Sequence, residues 1–149
     1  GQLMVDPDRP AIHCVEAGRE IDLGGIGKGY ALDRIVPLLR DLGIKSGLIA
    51  AGASTQLAFG ENSWKIELTG STNMPVVELK NQALSVSGIA IQGSHIVSPR
   101  QAEFTQYPHS RVRVIHKEAA HADAWSTACL LMTESEIETV KDRITIHCS

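Results

Sequence analysis

The stretch that decides the fold runs Ile21-Asp22-Leu23-Gly24-Gly25-Ile26-Gly27-Lys28-Gly29-Tyr30-Ala31-Leu32-Asp33. An acidic residue leads into four glycines and a lysine within six positions, and an amphipathic helix begins there. Glycine lets backbone groups approach a ligand closely, and a helix start offers unpaired N–H groups to an anion. The segment therefore predicts a site for a phosphate-bearing ligand, with a simple glycine-rich turn as the alternative.

Two common phosphate-binding motifs fit this stretch poorly. A P-loop needs Ser or Thr after its lysine, whereas Gly29 follows Lys28. The dinucleotide pattern GxGxxG fails as well, because its third glycine arrives one position early. Neither motif is assigned.

A helix is predicted from the glycine segment onward, over residues 28–42, since its apolar residues recur at helical spacing. Pro37 lies inside it and should kink the helix or mark a tight turn, and Gly43 suits the position after its end. Upstream, strands over 12–15 and 20–22 are predicted to form a hairpin that enters the glycine segment.

Downstream, the pattern changes to short strands separated by turn-rich stretches. The predicted strands are 47–50, 56–59, 64–68, 76–79, 83–86, 111–115 and 144–147. A helix is expected over 119–132, and residues 133–136 have the pattern of a cap that opens another. The fold class is α+β, an antiparallel sheet with helices packed on one side.

Composition agrees with one domain over residues 1–149, of which 43% are hydrophobic, enough for one core of ordinary size. The net charge of −3 gives no broad attraction to nucleic acid. No apolar run is long enough to cross a membrane, and the start lacks a signal-peptide pattern. The three cysteines match no metal-binding spacing, so reduced thiols are the simpler expectation.

Three further blocks carry a resemblance: Ser87-Gly88, Ser94-His95-Ile96-Val97-Ser98-Pro99-Arg100 and Ala122-Asp123-Ala124-Trp125-Ser126-Thr127-Ala128. With the glycine segment before them, they resemble, in order, the motifs of the FAD:protein FMN transferases, the ApbE family. The resemblance runs from Ile21 to about Met132 and implies an ApbE-like, T-fold-related α+β fold.

A metal site is expected on the predicted helix 119–132. Asp123 and Thr127 are four residues apart and so share one helix face, where a carboxylate and a hydroxyl can address one cation. Magnesium prefers oxygen ligands, and Ser126 is close enough to contribute. The resemblance adds the backbone carbonyl of Gly25. Two alternatives stay open: Asp123 as a carboxylate that balances a helix start, and Thr127 bonded to its own helix backbone.

The resemblance also implies a reaction, the Mg²⁺-dependent transfer of FMN from FAD to a Ser or Thr of an acceptor protein, with AMP leaving. Its expected contacts with the flavin nucleotide are Asp22, Gly24, Lys28 and Val97. His95 is the candidate base for the accepting hydroxyl, and Asp123 is its catalytic companion at the metal.

Departures from the family keep other functions open. Gly52-Ala53-Ser54 and Ser98 each stand where the family has a carboxylate. Family members are about twice as long, and their N-terminal half is missing from this chain. The alternatives are a catalytically impaired domain that binds a nucleotide or a partner, and an FAD hydrolase giving FMN and AMP. An oligomer partner could supply the missing half. The family is often periplasmic or lipid-anchored, and localisation is left open.

Overall fold

The structure is a computed structural model that describes residues 3–15, 17–18, 21–68, 76–89, 96–98 and 107–148. Its strands and helices follow one another along the chain as β1 (Leu3–Val5), β2 (Ile12–Cys14), α1 (Gly27–Asp41), β3 (Gly47–Ala51), β4 (Thr55–Phe59), β5 (Trp64–Glu67), β6 (Val76–Leu79), β7 (Gln82–Gly88), β8 (Arg111–His116), α2 (Ala119–Leu130), α3 (Glu134–Glu138) and β9 (Thr145–Cys148).

A five-stranded sheet in the order β3-β4-β7-β8-β9 forms the centre of the fold, and every neighbouring pair in it is antiparallel. Helices α1 and α2 pack on one face of this sheet and against each other. Their apolar contacts include Leu32 and Val36 of α1 with Leu57 and Phe59 of β4. The predicted α+β architecture, with helices on one side of an antiparallel sheet, is confirmed.

The opposite face of the sheet is covered by a second hairpin, β5–β6. Successive side chains of a strand point to opposite faces, so Ala58 of β4 and Ile115 of β8 turn away from the helices. They join Leu79 and Leu68 in a separate apolar cluster. The core is therefore split into layers on both sides of the sheet, an arrangement that the sequence prediction did not include.

Helix α1 ends where Gly43 predicts. Gly43 has a φ of 84°, a conformation that favours glycine. Its amide donates to the Arg40 carbonyl at 2.9 Å, and the Ile44 amide donates to the Leu39 carbonyl at 2.9 Å. This pair of bonds is the Schellman closure. The helix continues through Pro37, so the prediction that this proline could mark a tight turn is wrong.

The first hairpin differs from the prediction. Strand β2 pairs with β1, with Val5 opposite Ile12, and the described residues Ile21 and Asp22 are not in a strand. Asp6 explains the difference, because one of its carboxylate oxygens accepts the amides of the residues two and three positions later. That side chain builds a turn immediately after β1. Glu20 lies outside the described residues.

Both helices near the end of the chain lie close to their predicted positions. Helix α2 ends at Leu130, two residues earlier than expected. Thr133 and Glu136 form a reciprocal capping box that opens α3, as the sequence indicates. The three cysteines are free thiols. Among the described residues, no helix is both long enough and apolar enough to cross a membrane.

Candidate functional site

A cleft of about 550 Å³ lies at one end of the central sheet, within the size range of small-molecule sites. Its described wall comprises parts of the glycine segment 22–28, the β3–β4 turn 52–54, the end of β7 at 86–88, residues 96–97, Arg111 and Thr127. Sheet pairing sets Gly88 of β7 opposite Arg111 of β8. The end of β7 and the start of β8 therefore lie side by side at this end of the sheet. The glycine segment thus opens onto a real cavity.

Asp123 is a buried anion beneath this cleft, with 2% of its surface exposed. One carboxylate oxygen, Oδ2, accepts the Gly29 N–H at 3.0 Å. The other, Oδ1, accepts the Thr55 hydroxyl at 3.0 Å and the Ser85 hydroxyl at 3.1 Å. A buried charge is tolerated only when it is hydrogen-bonded or paired. Donors from α1, β4 and β7 therefore fix this carboxylate in one position.

The alternative left open for Asp123, that it balances a helix start, is not what the structure shows. That task falls to Asp33 of α1, whose two carboxylate oxygens accept the amides of Ala119 and Ala120 at 2.9 and 2.8 Å. These are the first residues of α2, where unpaired N–H groups favour an anion. Asp123 is free of that role and lies deeper, in the middle of the fold.

Hydroxyl groups extend the hydrogen bonding around the carboxylate. Ser126 Oγ lies 3.2 Å from Ser85 Oγ and 2.9 Å from Ser87 Oγ, and it donates to the Asp123 carbonyl at 3.0 Å. Ser87 Oγ is also 3.2 Å from Thr127 Oγ1. These contacts form a continuous polar path from the buried carboxylate to the wall of the cleft.

Sequence reasoning did not assign Thr55 and Ser85 to the site. One signal was available for β7, where Ser85 and Ser87 alternate with apolar Leu84 and Val86. Period-two alternation puts both serines on one face, and here that face looks toward α2. Nothing in the local pattern of β4 marks Thr55.

Thr127 lies at the boundary between the hydroxyl network and the cleft. Its Oγ1 donates to the Asp123 carbonyl at 3.3 Å, so the bond to its own helix backbone, considered above as an alternative, is present. A Cβ added to Gly25 would lie 3.6 Å from Thr127 Oγ1. The glycine segment and α2 therefore meet at this point, and the predicted companions Gly25 and Thr127 are brought together.

Lys28 carries the positive charge that faces Asp123. Its ammonium nitrogen Nζ lies 3.5 Å from Asp123 Oδ1 and donates to the Gly24 carbonyl at 3.1 Å. The lysine side chain is 41% exposed, whereas the carboxylate is almost wholly buried. The ammonium therefore lies between a buried anion and the open cleft.

Asp22 organises the start of the glycine segment. Its Oδ1 accepts the Gly24 amide at 2.7 Å, the Asx turn that such side chains form. Asp22, Gly24 and Lys28 all line the cleft, as does Val97. These four are the residues predicted to contact a nucleotide, and the structure brings them to one cavity.

Gly29 has a structural reason of its own. A Cβ at this position would lie 2.1 Å from the Ala119 carbonyl oxygen and 2.7 Å from the Cα of Ala120. Only glycine allows α1 and α2 to cross this closely, and the close crossing brings the Gly29 amide to Asp123. The last glycine of the segment thus serves helix packing.

Ser126 and His95 stand apart from the other predicted residues. Ser126 is fully buried, with its hydroxyl engaged in the network, so its role as a metal ligand stays a prediction. His95 lies outside the described residues.

Arg111 was not predicted, yet it lines the cleft from β8. Burial and the charge of Arg111 lower the pKa of Arg113, two residues further along the same strand.

The donor set suits a hard cation. In the described part of the chain, no three His, Cys, Asp or Glu side chains gather into a cluster. With the expected ligands, a bound ion would rest on the Asp123 carboxylate together with hydroxyl and carbonyl oxygens. Magnesium takes oxygen ligands and keeps several waters, often with one or two carboxylates. The positive charge of Lys28 beside Oδ1 marks a position where this carboxylate already receives a cation.

Comparison with known proteins agrees with the motif analysis. A sequence model described as the ApbE family matches residues 2–148. The FAD:protein FMN transferase of Escherichia coli (strain K12) is 26% identical over 140 residues, which cover 83% of this chain and 40% of the relative. The FAD:protein FMN transferase of Buchnera aphidicola subsp. Schizaphis graminum is 27% identical over 130 residues, covering 77% and 38%.

Solved structures are similar over almost the whole chain. The Pseudomonas stutzeri flavinyl transferase ApbE in its apo form has a TM-score of 0.80 at 26% identity, over 97% of this chain and 48% of that one. The ApbE protein of Thermotoga maritima has a TM-score of 0.79 at 25% identity, over 98% and 53%. The chain thus spans about half the length of these structures and about two fifths of the curated relatives. With its four motif blocks in order, its fold and nearly all of its sequence matched, this chain belongs to the ApbE family.

Proposed function

We propose that this chain carries the part of a flavin transferase active site that binds the metal and the nucleotide. The proposed reaction moves FMN from FAD to a Ser or Thr hydroxyl of an acceptor protein, requires Mg²⁺ and releases AMP. The observation that carries this proposal is the fixed carboxylate of Asp123, which lies beneath a cleft lined by a glycine segment and a lysine. The names of the similar proteins support the same chemistry.

Asp123, Thr127 and the Gly25 carbonyl are the proposed holders of Mg²⁺. Thr127 lines the cleft, and Gly25 is its neighbour across the gap between the glycine segment and α2. Ser126 remains a proposed fourth ligand, although its hydroxyl would have to leave its present hydrogen bonds. When bound, the ion would neutralise charge on the phosphates and on the departing AMP.

Lys28 and the glycine segment are proposed to hold the nucleotide. Lys28 is a flexible point charge with three donors, well suited to phosphate oxygens. Asp22 keeps the segment in its turn through the Gly24 amide. Val97 is 68% exposed and lines the cleft, so it offers an apolar contact for the flavin ring.

The proposed transfer breaks the phosphoanhydride bond of FAD and forms a bond from the acceptor oxygen to the phosphorus of FMN. AMP leaves with the electron pair of the broken bond, and the hydroxyl proton passes to a base. His95 is the proposed base. Asp123 suits a different task, because its carboxylate oxygens already accept three hydrogen bonds. Its proposed contribution is fixed negative charge that holds a cation.

Two other outcomes are compatible with the same cleft. Water in place of the acceptor would give FMN and AMP. A chain that binds FAD without turnover would be a binding module. The β3–β4 turn favours this outcome, since Gly52-Ala53-Ser54 offers no carboxylate to the cleft that it lines.

Flavin fluorescence during titration with FAD tests the proposal. Binding should require Mg²⁺, disappear in EDTA and be lost in Asp123→Asn. Asp41→Asn is the matched control, because that carboxylate is exposed at the end of α1. A second assay mixes the complex with a Ser/Thr peptide and measures the added FMN by mass spectrometry.

Metal-dependent binding with a flavinylated peptide supports the transferase, and release of free FMN instead supports the hydrolase. Binding with neither product supports a binding module. If FAD does not bind in any condition, or binds equally well to Asp123→Asn, the proposed site is refuted.

A further inference from the structure

We infer that Lys28 occupies the cation position of Asp123 in the absence of metal, and that an arriving divalent ion displaces its ammonium group into the nucleotide cleft. Lys28 would then couple the two ligands, because the displaced ammonium becomes available to phosphate only once the metal is bound. This inference rests on the proposed function and adds to it a coupling between the metal and the nucleotide.

Distances support a shared position. Lys28 Nζ is 3.5 Å from Asp123 Oδ1, and its hydrogen bond to the Gly24 carbonyl is 3.1 Å. The ammonium is thus held by two oxygens, one anionic and one neutral. The neutral oxygen belongs to Gly24, and the next residue, Gly25, carries the carbonyl proposed as a metal ligand. A divalent ion bound through the same Oδ1 would meet the ammonium at close range, where two positive charges repel strongly.

Because the Asp123 carboxylate is buried, we expect a positive charge to lie beside its Oδ1 whether or not metal is bound. Asp123 has 2% of its surface exposed, and a buried carboxylate without a compensating positive charge is costly. The hydroxyls of Thr55 and Ser85 hydrogen-bond Oδ1 but carry no charge. Lys28 supplies that charge when no metal is present.

The lysine is able to move. Its side chain is 41% exposed and has a flexible four-carbon stem. It also lines the cleft, so the displaced ammonium would stay near the phosphates of a bound nucleotide. The N-terminal turn of α1 disfavours a cation, which leaves phosphate as the better partner.

Binding of metal and nucleotide should therefore be cooperative in both directions. Metal alone must break the contact between Lys28 and Asp123 without replacement. A nucleotide offers the ammonium a new anionic partner and lowers that cost, and linkage makes the effect reciprocal.

The test is a Mn²⁺ titration of the full chain, with free Mn²⁺ followed by electron paramagnetic resonance and no nucleotide present. Lys28→Met should bind Mn²⁺ about tenfold more tightly than the original protein, a value within the usual range of coupling between sites. Arg111→Met is the control, because it removes a positive charge that lines the same cleft from β8. It should change the affinity by about twofold or less.

Adding FAD gives a second readout. FAD should tighten Mn²⁺ binding to the original protein, and this enhancement should be largely lost in Lys28→Met. Lys28→Gln serves if the methionine variant folds poorly, since it retains a donor for the Gly24 carbonyl without the charge.

Two results would overturn the inference while leaving the proposed metal site intact. In one, the original protein binds Mn²⁺ and Lys28→Met shifts the affinity no more than Arg111→Met. In the other, Lys28→Met binds Mn²⁺ more weakly. If the original protein and all variants bind no Mn²⁺, with or without FAD, the proposed function fails as well.

Discussion

Replacing Gly29 with alanine should destabilise the fold, because this position sets the distance between α1 and α2. The added Cβ would lie 2.1 Å from the Ala119 carbonyl oxygen. Real contacts of this kind need about one ångström more, so the helices must separate or tilt. The Gly29 amide would then withdraw from Asp123, to which it donates at 3.0 Å.

The magnitude follows from three effects. Overpacking costs about 1–3 kcal/mol. A hydrogen bond to a charged group contributes about 1.5–3 kcal/mol, and it is lost if the helices part. Alanine recovers about 1 kcal/mol over glycine in a helix interior. The expected net loss is about 3 kcal/mol, or about 9 °C in melting temperature at the scaling typical of a chain of this size.

Urea unfolding and thermal melting followed by circular dichroism measure this loss. Gly27→Ala is the matched control in the same helix. Outside the helix's own backbone, the contact that its Cβ would make with the described residues is an ordinary one, to the Leu23 Cβ at 3.8 Å. That variant should stay within about 1 kcal/mol of the original protein. If Gly29→Ala melts within about 2 °C of the control, the close crossing of the helices is not what requires glycine.

Three further changes test the groups around α2. Asp33→Ala should cost about 1–2 kcal/mol, because two amides at the start of α2 lose their acceptor; an unchanged urea midpoint would contradict this capping role. Thr55→Val should cost about 1.5–3 kcal/mol by removing a donor to the buried Asp123, whereas Thr55→Ser should restore most of it; equal losses in both variants would point to packing instead. Burial, with a smaller contribution from Cys148, raises the pKa of the Cys129 thiol from 9.0 to about 11. The neutral thiol is therefore favoured in the folded state, and its contribution to stability is complete below about pH 9 and lost as the pH rises through about 11. Urea titrations across this window should show a steeper fall in unfolding free energy for the original protein than for Cys129→Ala, and parallel curves would refute the assignment.

Much of the fold was predictable because its signals are local. Gly43 ends α1 through its own backbone conformation, and Thr133 with Glu136 forms a cap within one turn. The strands of the central sheet follow short apolar runs bounded by turns. The first hairpin was mispredicted because its turn depends on the side chain of Asp6, and because β1 has only three residues.

The site was predictable only in part. Motif blocks indicated Asp123, Thr127 and Gly25. In the structure Gly25 is a neighbour of Thr127, and the Thr127 hydroxyl donates to the backbone carbonyl of Asp123. Thr55 and Ser85 were missed, since their link to Asp123 exists only after the sheet and α2 have packed. Gly29 shows a different difficulty, because a ligand and a neighbouring helix both exclude a Cβ, and sequence alone does not tell them apart.

The hydrogen bonds of Asp123 have a consequence for how the site forms. Its three donors, Gly29, Thr55 and Ser85, are separated from it by 94, 68 and 38 residues along the chain. Contacts that distant require large loops to close, and folding is slow where such contacts dominate. The carboxylate pocket should therefore appear late in folding, once both helices and the sheet are in place. Damage to any one of these elements would then remove the pocket as a unit, and a short peptide carrying the α2 motif alone would have no such pocket.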